Sequence, residues 1–143
     1  MKKGKKIFVA MATILTGCTL MTACSSKEST NTSTQIDSAT KSTLEDFGDK
    51  FLNYRSVDER NESIKDLMTE KAQNDNGINT KTSADFQAKG EVKQIYQDIS
   101  NKNQYLIFGN YQVQLENTNV VLRVTMKNGK IDKLTVDYTR QAY

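Results

Sequence analysis

The sequence predicts an α+β domain with N-terminal helices packed on a curved four-stranded antiparallel sheet. Three observations carry this: apolar residues recur at helical spacing between 43 and 72, the period changes to two after Glu91, and Asn128-Gly129 separates two alternating runs.

The elements follow in order. Leu44, Phe47, Phe51 and Leu52 fall on one helical face, and Ser42 with Glu45 has capping-box spacing, so a helix is predicted over 43–55. Ser56 and Glu59 repeat that spacing before Val57, Ile64, Leu67 and Met68, which predicts a second helix over 57–72 meeting the first near Ser56. Gln73 to Thr82 carries Asn74, Asn76, Gly77 and Asn79 and reads as a loop, with a short helical turn expected from Ser83 to Lys89. Tyr105, Ile107, Gly109, Tyr111, Val113 and Leu115 then alternate with mostly polar neighbours, and Val120, Leu122, Val124 and Met126 do the same. Turns are expected at Asn101-Lys102-Asn103, Asn117-Thr118-Asn119 and Asn128-Gly129, giving strands over 91–99, 104–116, 120–127 and 130–140.

The N-terminus has a different character. Met1 to Lys6 carries four lysines, and Ile7 to Ala23 carries no charged residue, which is the layout of an export signal. The apolar run is broken by Thr13, Thr16, Gly17, Thr19 and Thr22 and falls short of the roughly 20 residues of a permanent span, so cleavage is expected. Met21-Thr22-Ala23-Cys24 resembles the lipobox of bacterial lipoproteins, which implies cleavage between Ala23 and Cys24 and a lipid on the Cys24 sulfur. Leu15-Thr16-Gly17-Cys18 is a competing match; Cys24 is preferred because cutting before Cys18 leaves only a short apolar stretch ahead of the site.

Ser25 to Ser42 contains one sizeable apolar side chain, Ile36, and reads as a flexible polar tether with a reach of roughly 20–25 Å. The expected organisation is a signal over 1–23, a lipidated cysteine and tether over 24–42, and one domain over 43–143, lipid-anchored to the cell membrane on its extracytoplasmic face. With the signal removed, 16 basic side chains face 17 acidic ones, so the isoelectric point of 8.8 is no argument for nucleic-acid binding.

Helices followed by a long curved antiparallel sheet resemble the cone-shaped fold of the nuclear transport factor two superfamily, with the cystatin-like fold as the alternative. The stretch from Asp46 through Phe47, Phe51, Leu52 and Tyr54 to Arg60, running on to Ile64 and Thr69, is similar to the first helices of extracytoplasmic domains in Gram-positive conjugation channels. Those domains resemble the periplasmic assembly-factor domain of type IV secretion systems. The resemblance implies a non-catalytic assembly or scaffold subunit of a conjugative DNA-transfer apparatus, with other envelope or channel proteins as partners.

The chain contains no histidine, and lipidation of Cys24 with loss of Cys18 leaves no free thiol. The usual general base, zinc ligand and thiol nucleophile are therefore missing, and no enzyme activity, metal or cofactor is expected. The acidic groups Glu45/Asp46/Asp49, Asp58/Glu59/Glu62 and Asp132/Asp137 are read as structural, several being placed where a helix dipole favours them. Asp75-Asn76-Gly77 lacks the spaced ligands and closing glutamate of a calcium loop. The competing classes are a small-ligand binder, in which Tyr96, Tyr105, Phe108 and Tyr111 line a pocket on the concave sheet face, and an exported inhibitor or exclusion factor.

Overall fold

Aspartate 37 starts the described fold: its side chain accepts a hydrogen bond from the backbone N–H of Thr40 at 2.9 Å and caps helix α1, Ser38–Leu52. The computed structural model describes residues 35–139, all within the unit Ser33–Tyr143. Cys18, Ala23 and Cys24, and with them the expected signal and lipid site, lie outside the described residues. After α1 come α2 (Val57–Lys65), α3 (Glu70–Asp75), β1 (Ala88–Gln97), β2 (Gln104–Val113), β3 (Glu116–Lys127) and β4 (Lys130–Thr139).

The predicted class holds, with corrections at the boundaries. Helix α1 begins at Ser38 and not at 43, so residues 38–42 belong to the helix and Ser42 is no cap. Ile36, just before it, packs against the core. The helix stops at Leu52 because Tyr54 leaves it to bridge Ala88, exchanging N–H···O bonds of 3.0 and 2.9 Å. The second cap is where the spacing puts it: Ser56 Oγ accepts from Glu59 N–H, and Glu59 Oε2 reaches back to Arg55 N–H. The helix expected over 57–72 is two helices, since Leu67 and Thr69 are drawn to the edge of β4 by hydrogen bonds with Ile131 and Thr69 then caps α3. No helix forms over 83–89, because Asp58 holds the Thr82 N–H and Ala88 is already paired with Tyr54 and Val113.

The sheet is an open antiparallel meander in the order β1-β2-β3-β4. Irregularities fall at Lys93, between the paired residues Val92 and Gln94, and at Asp132, opposite the step from Thr125 to Met126. The β3–β4 hairpin turns at Asn128-Gly129, where φ is 52° and 76°, as the sequence predicts. The β2–β3 turn is displaced from the predicted Asn117–Asn119, which lies inside β3, to Gln114-Leu115, where φ is 49° and 75°.

One face of the sheet receives the helices. Leu44, Phe47, Phe51 and Leu52 of α1, with Ile64 and Met68, pack on Ile107, Val120, Leu122, Val124 and Ile131, and all are buried. Contact is close at Gly109: a Cβ there would lie 2.6 Å from Leu52 Cδ1 and 2.9 Å from the Glu91 carbonyl oxygen. The other face is open. No helix among the described residues is long and apolar enough to cross a membrane.

Candidate functional site

Leu52 ends α1 over the middle of the sheet, so the helical layer turns back before the sheet ends, and a cleft of about 480 Å³ opens there. Its aromatic and cationic members come from five separate segments, and Glu116 and Thr118 of β3 add to its lining. Tyr54 follows α1, Arg60 projects from the first turn of α2, Phe86 comes from the run before β1, and Tyr111 and Tyr138 stand on β2 and β4. Tyr111 and Tyr138 pack at a ring separation of 5.9 Å with planes 40° apart.

Arg60 is the cation of this cleft. Its guanidinium carbon sits 5.1 Å from the centre of the Phe51 ring and 5.5 Å from that of Tyr54, both within cation–π range. Burial pushes the Tyr54 hydroxyl above its ordinary value of 10.0, aided by Tyr138, and the positive Arg60 only partly opposes this. Tyr111 is pushed up further by its burial and by the adjacent Tyr138. Both hydroxyls are therefore neutral donors at physiological pH. A cleft with aromatic walls, neutral hydroxyls and one guanidinium can take up an apolar group carrying a polar end.

The four aromatic residues expected to share a pocket do not converge. Tyr96 and Phe108 meet edge to face on the open sheet surface, with ring centres 5.5 Å apart and exposures of 52% and 36%. Tyr105 is buried on the helix side, its hydroxyl accepting from Gln97 Nε2 at 3.1 Å. Tyr111 alone reaches the cleft. Alternation along β2 separates them, since Tyr105 and Tyr111 share one face and Phe108 takes the other. Of the other cleft residues, Tyr54 and Arg60 lie in the stretch that resembles conjugation-channel helices and Tyr138 continues the alternation Leu134, Val136, Tyr138, whereas Phe86 carries no sequence signal.

The acidic residues mostly have structural partners. Asp46 pairs with Lys50 and Asp75 with Lys71, each one helical turn apart. Asp132 accepts from Thr69 Oγ1 at 2.9 Å, and Asp137 from Arg123 Nε at 2.6 Å across two strands. Among the described residues, no group of three or more metal-binding side chains comes together.

A helical layer on one face of an open antiparallel sheet, with an aromatic cleft beside it, defines an α+β domain. The chain belongs to the EF0163-like family, whose model matches residues 41–140. No curated protein matches it. Among solved structures it is similar to the NMR solution structure of TraH, a candidate transfer protein of the Gram-positive conjugative plasmid pIP501. The TM-score is 0.53 and the identity 19%, over 72% of this chain and 94% of that one. At that identity the likeness is one of fold.

Proposed function

We propose that this protein is a lipid-anchored, extracytoplasmic, non-catalytic assembly subunit of a conjugative DNA-transfer apparatus. The observation that carries the reading is the fold likeness to a plasmid transfer protein over 94% of that protein's length. Two features of the sequence support it. The first helices resemble those of extracytoplasmic conjugation-channel domains, and Met21 to Cys24 resembles a lipobox that would hold the domain close to other membrane-bound subunits. The partners are envelope or channel proteins, and neither nucleic acid nor metal is a ligand. A role built on surface contact also accords with carboxylates that are engaged within the fold.

A clean deletion should reduce transfer of the plasmid or element without affecting growth, and the protein should be recovered with channel subunits after cross-linking in cells. Cys24→Ser should abolish lipid labelling, whereas Cys18→Ser should not. Normal transfer frequency in the deletion, with no channel protein in the cross-linked material, would refute the assembly role.

A further inference from the structure

The aromatic cleft holds a guanidinium whose hydrogen bonding is half used. Nε and Nη2 of Arg60 both donate to Asn61 Oδ1, at 3.2 and 2.9 Å. No carboxylate among the described residues lies within ion-pair distance of Arg60. The Tyr54 hydroxyl takes a further hydrogen bond from the guanidinium, and the N–H groups of Arg60 that remain can donate to the oxygens of a carboxylate.

The charge of the cleft limits what that anion is. Among the described residues that line it, Arg60 is the one cation and Glu116 the one carboxylate. A dianionic phosphate or a nucleic-acid strand calls for several cations and would meet stronger repulsion from Glu116 than a single carboxylate on Arg60 does. The aromatic walls then suit an apolar group attached to the charge.

Location narrows the source. Asp37 lies near Tyr105 and the Asn128-Gly129 turn, at one end of the sheet, while the cleft lies at the other, beside Val113 and Glu116. The 15 residues of α1 separate the two ends by about 22 Å. The cleft is thus presented away from the point where the chain enters the domain. Around it stand Phe86, 38% exposed, and Leu115, 88% exposed at the tip of the β2–β3 hairpin. An apolar shelf beside a carboxylate-binding pocket fits the end of a polypeptide, with its final carboxylate on Arg60 and its preceding residues on the shelf.

We infer that the cleft formed by Tyr54, Arg60, Phe86, Tyr111 and Tyr138 captures the C-terminal carboxylate of a partner polypeptide whose last residue is apolar. The inference stands on the cleft's geometry and does not need the transfer role.

The test is titration of the full-length protein, isotope-labelled in detergent micelles, with four probes: acetyl-Ala-Ala-Leu-Phe with a free carboxylate, the same peptide amidated, an amidated peptide with an internal aspartate, and inorganic phosphate. The free acid should shift the Arg60 side-chain resonance and bind at least about tenfold tighter than its amide. Arg60→Gln should erase that difference. Glu116→Gln, at the rim, should tighten the free acid by relieving repulsion, so the idea remains testable even if the Arg60 variant is poorly folded. Equal affinity of acid and amide, tighter binding of phosphate or of the internal aspartate, or no binding by any probe would each overturn it.

Discussion

Arg60 donates two hydrogen bonds to one oxygen of its sequence neighbour Asn61, and Asn61 is 6% exposed. Adjacent residues on a helix diverge by about 100°, so this contact requires the arginine to fold back across the helix surface. It fixes the guanidinium over Phe51 and Tyr54 in the lining of the cleft. Asn61→Ala should cost about 1–3 kcal/mol, as a charge-assisted hydrogen bond is lost inside the fold. Urea unfolding measures the cost, and broadening of the Arg60 side-chain resonance would report its release.

Gly109 is a point of close approach between helix and sheet. Leu52, which a new Cβ would strike, is 1% exposed and has no free direction in which to swing, and the Glu91 carbonyl blocks the other side. Gly109→Ala should therefore destabilise the protein by about 1–3 kcal/mol, despite adding a single methyl group. Thermal unfolding of the variant, with Gly77→Ala not substituting for it as a control because φ is +63° there, checks this.

Asp37 should give the fold an acid-sensitive start. Its hydrogen bonds to Thr40 hold its carboxyl below the ordinary 3.8, and Asp98 is lowered in the same way by Ser100. A carboxyl lowered in the folded state adds stability above its unfolded value, and that stability is lost as pH falls through the folded value. Stability should accordingly decline below about pH 4. Asp37→Ala should flatten part of that decline and lower stability at neutral pH, whereas Asp37→Asn should keep most of the cap. Helix content and urea midpoints measured from pH 2 to 7 provide the check.

The class, the strand order and three of the strand ends were legible in the sequence, because alternation from Tyr105 to Val113 and from Val120 to Met126 reports one buried sheet face directly. The start of α1 was not, since Ser38 to Ser42 bury no large apolar side chain and carry no periodic signal. Leu67 and Met68 fit a helical face equally well whether or not the helix breaks; the bonds to Ile131 that break it join residues more than 60 apart. The cleft was hidden for a related reason. Its aromatic and cationic members come from five segments that only the closed fold brings together, and a list of aromatic residues carries no information on which sheet face each one takes.

The Gln114-Leu115 turn carries side chains where its backbone favours glycine or asparagine. Leucine at φ 75° costs about 1–2 kcal/mol relative to a residue free to adopt that angle. Replacing the pair by Asn-Gly should raise the midpoint of thermal unfolding, in spite of removing a large apolar side chain, because Leu115 is almost fully exposed. An unchanged or lower midpoint would show that the turn carries no strain. The same variant should weaken any partner that rests on the shelf beside Phe86.

Two of the sheet's three hairpins, β2–β3 and β3–β4, are closed by turns of the same geometry and should differ in how readily they form. Asn128-Gly129 populates its left-handed angles in the unfolded chain, so β3 and β4 can zip from a turn that is largely prepared. Gln114-Leu115 must be forced into the same angles by contacts made elsewhere, which places closure of β2 onto β3 after the apolar face has begun to assemble. The C-terminal hairpin is therefore expected to form first and to template the sheet, which φ-values higher in β3 and β4 than in β1 would report.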